Sequence, residues 1–435
     1  MNEALLLPSW IVPVRPAGVI LTDHALAIRD GLIAAVLPRA QAEREYSQWP
    51  RIELPGHVLM PGLVNLHAHS GMSLMRGLAD DQPLMTWLNE HIWPAEGKVV
   101  SREFVHDGTL LACADMLKSG VTCFNDMYFF PDAAARAALA MRMRAVVSMT
   151  ALEFPTPYAA TADEYLDKGL AAHAELRDEP LLGFTFGPHA PYTVSDRTFE
   201  RIVILANELD LPIHIHVHET AAEVAEGVKL HGKRPLERLR DLGVVAPNLL
   251  AVHAVHLTPA EIDLLAENGC HIAHCPASNL KLASGISPVA AMVKAGVNVG
   301  IGTDGAASNN RLDMLAEMRL AALLAKGASG DAGAVPAAEA LSMATFNAAK
   351  ALGMDDRIGS LEPGKRADIA ALDFARVETT PCFDVISHLV YAASSENVTH
   401  VWVDGELLLK DRVLTRIDER ELIAKAHAWK ARIQP

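Results

Sequence analysis

Pro61-Gly-Leu-Val-Asn-Leu-His67-Ala-His69-Ser70 is the stretch on which the reading of the fold turns. A Pro-Gly turn opens an apolar run of strand length, and the run closes on two histidines one residue apart. Period-two geometry points both imidazoles to one face, where a single metal ion can take both. The same stretch separates two textures. Residues 1 to about 62 hold short apolar runs at 5–12, 25–28, 33–37 and 58–60, cut by turn residues, a pattern that predicts strands with few helices. From Gly62 on, strand-length runs alternate with amphipathic or Ala-rich segments of helical length. Strands are expected at 63–69, 121–126, 145–150, 182–189, 212–219, 249–253, 271–276 and 297–304, with helices such as 102–118, 196–209, 259–268 and 312–326 between them. Eight such units predict an α/β fold whose main body, 62–356, is a closed (β/α)8 TIM barrel.

After a last helix at 337–352, the segment Gly359-Ser-Leu-Glu-Pro-Gly-Lys-Arg-Ala-Asp-Ile-Ala-Ala-Leu-Asp373 returns to short strands and turns, which continue through 400–404 and 406–409. Neither chain end has strands enough to close a core alone. Residues 1–61 and 357–435 are therefore expected to pair into one smaller β-sandwich domain, the latter also supplying a C-terminal helix.

The chain of 435 residues exceeds what one ordinary core serves, and its 50% hydrophobic and 21% charged content is that of a globular protein. Its 38 basic against 53 acidic residues leave a net charge of −15, which repels phosphate backbones and anionic lipid heads. Nucleic acid and membrane surfaces are therefore not expected as partners. No run reaches about 18 apolar residues, so no spanning helix is expected. The opening MNEALLLPSWIVPV carries Glu3 where an export signal has basic residues. The five cysteines are odd in number and form no CxxC pair, which suits reduced thiols in the cytoplasm.

Histidines gather at the expected strand ends, where barrel enzymes build their sites. The fifth strand reads His214-Ile-His216-Val-His218-Glu219, with three histidines on one face and Glu219 just beyond. Spacing does not choose between His216 and His218 as a third ligand, and it leaves at least one of the three for packing or for supporting a ligand. The sixth strand ends His253-Ala-Val-His256 and the eighth Gly302-Thr-Asp304-Gly305. Histidines and an aspartate are a donor set for a divalent ion, zinc first, with iron(II) or manganese able to use the same atoms. The fourth strand ends Phe186-Gly-Pro-His189 and offers no lysine to bridge two ions, so one metal is expected. An open position on that ion lowers the pKa of bound water. Glu219 is placed to carry protons, and His253 to stabilise charge.

With these residues assembled, the sequence resembles the amidohydrolase superfamily over nearly its whole length. The motifs are PGLVNLHAHS (61–70), HVHE (216–219), HAVH (253–256), HCPASNLKLASGISPV (274–289), GTDGAASNNRLDM (302–314) and GSLEPGKRADIAALD (359–373). Within it, Trp87-Leu-Asn-Glu-His-Ile-Trp-Pro-Ala-Glu96 looks most like the branch of 5-methylthioadenosine and S-adenosylhomocysteine deaminases. The resemblance implies His67, His69, His216 and Asp304 as metal ligands, taking His216 over His218, and Glu219 with His253 as the catalytic pair. It implies Glu96 on the ribose hydroxyls, and Trp87, His189 and Ser308 as further substrate contacts. The implied reaction adds water to C6 of the purine, protonates N1 from Glu219 and expels ammonia to leave an inosine derivative. A homo-oligomer is implied as well.

Relatives that accept S-adenosylhomocysteine present arginines to its amino-acid tail, one of them near the end of the third strand. Met149 aligns there, and no arginine occurs between Arg144 and Arg177. Met149 is therefore expected to face a methylthio group, favouring 5′-methylthioadenosine over S-adenosylhomocysteine, with adenosine as a further substrate to test. The alternatives are another mononuclear member acting on guanine, cytosine or an s-triazine, and a non-catalytic relative, against which every expected ligand is present.

Overall fold

The computed structural model describes residues 3–434; Met1, Asn2 and Pro435, which fall within the expected end segments, lie outside it. Eight parallel strands, each hydrogen-bonded to the next in chain order, form the central body: Leu63–Ala68, Val121–Asp126, Arg144–Ala151, Leu182–Pro188, Ile213–Val217, Leu249–His253, His271–His274 and Asn298–Ile301. They are referred to as barrel strands one to eight. Strands eight and one meet to bring the ring nearly to closure. The Asp304 N–H donates to the His67 carbonyl at 2.9 Å, and a Cβ added at Gly302 would come within 2.7 Å of the His67 backbone nitrogen. The expected (β/α)8 barrel is present, with the C-terminal ends of its strands at one rim.

Alternation along the strands explains the layering. Val64, Leu66, Val146, Leu250 and Val252 pack with Ala348, Met354 and Ile358 in one buried cluster. Their sequence neighbours Leu63, Ala145, Val147, Leu249 and Ala251 belong to the larger cluster shared with the helices. Five of the surrounding helices start on a Ser or Thr whose hydroxyl accepts a backbone N–H of the first turn: Ser101, Thr161, Ser195, Thr220 and Thr258.

The single helix expected at 337–352 is two helices, Ala337–Met343 and Phe346–Ala351. The break has a cause: the Ala344 carbonyl accepts the Val64 N–H of strand one at 2.9 Å, and the Thr345 hydroxyl donates back to the Leu341 carbonyl at 2.6 Å. The N-terminal segment also holds a helix, Arg39–Glu45, among its strands.

Both chain ends do pair, as one hydrogen-bonded mixed sheet of nine strands. Its join is the antiparallel register of Ile369–Asp373 on Arg51–Pro61, which in turn lies parallel to Glu3–Ile11. Leu6, Leu26, Leu59 and Trp402 bury one face, and Leu5, Leu7, Ala25 and Ala27 the other. The C-terminal helix Glu419–Ile433 docks on Arg102–Lys118, with Trp429 Nε1–H donating to Asp107 Oδ2 at 3.0 Å. Among the described residues no helix is long and apolar enough to cross a membrane, and the five cysteines are unpaired.

Candidate active site

His67 lies in strand one and His69 follows it, His216 lies in strand five, His253 closes strand six and Asp304 follows strand eight. His67 Nε2 is 3.2 Å from His216 Nε2 and 3.4 Å from Asp304 Oδ1, and His69 Nε2 is 3.2 Å from the same aspartate oxygen. Donor atoms of His67, His216 and His253 also lie within 4.8 Å of one another.

The far sides of the rings fix which nitrogen is free. His69 Nδ1–H donates to the Met127 carbonyl, and His216 Nδ1–H to the His189 carbonyl at 2.7 Å. A carbonyl only accepts, so both protons sit on Nδ1 and both Nε2 lone pairs face the centre. His67 Nδ1 meets His214 Nε2 at 2.9 Å. Imidazole lone pairs only 3.2 Å apart beside a carboxylate repel one another unless a cation lies among them, so the donor set fits one divalent ion. The electrostatics agree. Burial pulls the His69 imidazole down, yet the Asp304 carboxylate overrides it and carries the pKa up to about 9. Burial would raise Asp304, but the His67 and His69 rings that face it hold it well below the usual carboxylate range. The Asp304 carboxylate that draws a proton to His69 draws a metal cation by the same field, while burial lowers His67 to about 4 and His216 well below the usual imidazole range, which leaves both neutral.

Glu219 sits just past strand five with Oε2 3.7 Å from His253 Nε2; burial raises its pKa, and His253 opposes the rise. His253 Nδ1 lies 2.8 Å from Asn279 Oδ1, which orients the ring. The histidine triplet is split three ways. His216 is at the centre, and His214 stands behind His67. His218 takes a left-handed φ of 55°, and its Nε2 accepts the Leu236 N–H at 3.1 Å, away from the other two. That turn is held by Glu223, whose carboxylate accepts the backbone N–H groups of His218 and Glu219 at 2.8 and 2.7 Å.

The centre is part of the lining of a cavity of about 300 Å³ that Trp87, Glu96, His189 and Ser308 also line. Trp87 and Glu96 come from the helical segment 84–99, in which a π-helical turn, Trp87–Ile92, sits between ordinary turns. The Tyr128 hydroxyl donates to Glu96 Oε1 at 2.6 Å; burial raises the Glu96 pKa to about 7, with that hydrogen bond opposing. His189 Nδ1 lies 3.1 Å from Thr193 Oγ1, and burial pushes its pKa down to about 3. The Ser308 hydroxyl donates to the Gly305 carbonyl at 3.1 Å.

Met149 is not at the site. In strand three, Ser148 reaches His214 Nδ1 at 3.1 Å and Thr150 lines the cavity. Met149 alternates outward and packs against Gly169 of the helix Ala162–Leu176. The expectation that it faces a methylthio group is corrected on that ground; the apolar wall is built instead by Leu84, Leu88, Leu152, Phe154 and Pro155.

A model of the amidohydrolase family matches residues 58–408. The chain belongs to that family. This amidohydrolase is 49% identical over 425 residues, 98% of its own length and 95% of the relative's, to a 5-methylthioadenosine/S-adenosylhomocysteine deaminase of Saccharophagus degradans. It is 44% identical over 382 residues, 88% of this chain and 89% of the other, to a 5′-deoxyadenosine deaminase of Methanothermobacter thermautotrophicus. Among solved structures, an adenosine deaminase from Xanthomonas campestris with bound zinc matches with a TM-score of 0.97 at 49% identity, over 99% of this chain and 98% of that one.

Four residues of the amidohydrolase centre escaped the motif reading. Ser278 donates to Asp304 Oδ2 at 2.6 Å, and Asn279 orients His253. Both stand in the 274–289 motif, which carried the signal without a role. His214 was visible only as one of three equivalent histidines. Tyr128 lies in a loop past strand two, where no periodicity marks it.

Proposed function

We propose that this amidohydrolase is a zinc-dependent aminohydrolase that converts 5′-methylthioadenosine to 5′-methylthioinosine and ammonia. One observation carries the reading: a single cavity joins the histidine–aspartate centre and the Glu219–His253 pair to Glu96, so a purine amino group and its ribose can be held together. The substrates and the zinc named for the relatives support the same choice. In this reading His67, His69, His216 and Asp304 hold one ion, zinc ahead of iron(II) or manganese for these donors. When bound, the ion acidifies the water that attacks C6.

The chain's own groups do the rest. Glu219, whose pKa burial raises, accepts one proton from that water and delivers it to N1, then takes the second from the C6 hydroxyl of the adduct and passes it to the amine, which leaves as ammonia as C6=O forms. His253, fixed by Asn279, turns Nε2 toward the charge that develops at C6. Glu96 accepts the ribose hydroxyls, a task suited to a carboxylate with two oxygens. His189, Trp87 and Ser308 complete the substrate contacts.

The described lining contains no lysine or arginine. An uncharged 5′ substituent suits such a wall, whereas the homocysteine tail finds no charge-assisted partner. The value of kcat/KM for S-adenosylhomocysteine should therefore fall about 10- to 100-fold below that for 5′-methylthioadenosine. The same wall makes 5′-deoxyadenosine a second substrate. The test is ammonia release from 5′-methylthioadenosine, 5′-deoxyadenosine, S-adenosylhomocysteine, adenosine, guanine and cytosine. Turnover of a free base with none of any nucleoside would defeat the reading. A cytoplasmic setting is in keeping with the five unpaired cysteines, and the homo-oligomer implied by the family resemblance is checked by sedimentation.

A further inference from the structure

We infer that Tyr128 is a positioning residue for ribose recognition: it commits one oxygen of Glu96 and thereby aims the other at the sugar. The inference rests on the nucleoside deaminase reading above. Tyr128 follows barrel strand two in a loop held from three sides. Its ring rests on Gly71, where an added Cβ would come within 2.7 Å of two ring carbons. Its carbonyl accepts the Thr150 hydroxyl at 3.0 Å. The carbonyl of the preceding residue, Met127, accepts the Nδ1–H of His69.

With the ring and the backbone fixed, the phenol has one task. It donates to Glu96 Oε1 at 2.6 Å, and both side chains are buried. A carboxylate accepts only, so the phenol proton is committed to it. Glu96 Oε2 has no hydrogen-bond partner among the described residues, while Glu96 lines the cavity, which leaves that oxygen to a ligand. Without the hydroxyl, a glutamate with three rotatable bonds would have to be ordered by the substrate at the moment of binding, at a cost in affinity. Because Met127 and Tyr128 are consecutive, the same stiff peptide supports a ring of the reaction centre and the sugar anchor. The separation between the two is thus set by backbone rather than by side-chain rotamers.

Tyr128→Phe keeps the ring on Gly71 and removes only the donor. Ammonia release would be followed with 5′-methylthioadenosine and with its 2′,3′-dideoxy counterpart, in the zinc-loaded wild type and the variant. The expected result is a KM for 5′-methylthioadenosine raised about tenfold, the size of one hydrogen bond to a charged group, with kcat little changed and the KM of the dideoxy compound unmoved. Equal changes for both compounds, or none for either, in an enzyme whose wild type is active would overturn the inference and leave the deaminase reading standing. A wild type inert on both compounds overturns the reading, and the inference with it. Should the variant not fold, a crystal structure of the wild type with 5′-methylthioinosine decides. Tyr128 on one Glu96 oxygen with the ribose hydroxyls on the other is expected, and Tyr128 turned onto the ribose itself overturns it.

Discussion

Replacing His214 by leucine tests whether the metal centre is built from behind. His67 Nδ1 and His214 Nε2 are 2.9 Å apart, and both side chains are wholly buried. If His67 gives Nε2 to the ion, its proton must sit on Nδ1, and His214 is the acceptor in place. Leucine has a comparable size and accepts nothing. The orphaned N–H then costs about 1–3 kcal/mol, or His67 adopts the other tautomer and loses its lone pair toward the centre. Partners behind metal-bound histidines are worth roughly 10–100-fold in metal affinity, which converts to about 1.4–2.8 kcal/mol, so the two estimates agree. Zinc dissociation measured by competition with a chromophoric chelator should therefore weaken 10- to 100-fold in His214→Leu. His214→Gln, which offers a carbonyl oxygen to the same proton, should recover part of the loss. A leucine variant that holds zinc within about twofold of the wild type would refute the reasoning, because a difference that small is less than one hydrogen bond.

Glu219→Gln should keep the zinc content of the wild type while ammonia release falls at least about 100-fold, since only the proton carrier is lost; retained turnover would remove Glu219 from the chemistry. Glu223→Ala orphans the N–H groups of His218 and Glu219 and should lower kcat more than tenfold with KM little changed, whereas Glu223→Gln, with one acceptor oxygen, falls between. Glu96 gives a pH signature in stability. Burial raises its pKa to about 7 from 4.5, so the folded state binds this proton more tightly than the unfolded chain, and stability is lost as pH rises between those values and stays lost above them. Glu96→Gln should therefore melt higher than the wild type at pH 8, by a margin that shrinks toward pH 5; a constant margin would show that the carboxyl is not the cause.

Much of the barrel is legible in the sequence because its strands are short apolar runs with hydroxyl caps opening the helices that follow, and both signals are local. The ends of those strands likewise mark His67, His69, His253 and Asp304. What escapes is whatever depends on how the chain leaves a strand. Alternation puts 214, 216 and 218 on one face, yet strand five stops at Val217, and His218 swings out in a left-handed turn. Met149 fails for the opposite reason: strand three continues through Ala151, so strict alternation applies and already assigns the inward places to Ser148 and Thr150. The break at Ala344 is equally invisible, since its cause is a carbonyl needed by Val64, 280 residues away in sequence but adjacent in space.

Three segments that follow barrel strands share a physical device. The turn after strand five and the helix starts at Ser70 and Ala277 carry backbone N–H groups with no ladder to join, and buried N–H groups must be paired. Glu223 accepts those of His218 and Glu219 at 2.8 and 2.7 Å, Asp126 accepts that of Ser70 beside His69 at 2.5 Å, and Glu317 accepts that of Ala277 beside Ser278 at 3.1 Å. Burial raises the pKa of all three, to about 7, 6 and 8, so each is costly to ionise where it stands. That cost is offset only while the segment keeps the conformation that presents its N–H groups, which makes the carboxylates a lock on local backbone geometry rather than a contribution to substrate binding. Part of the acidic surplus of this chain is accordingly internal, spent on holding turns. A count of charges reads it as surface, whereas the fold buries these three.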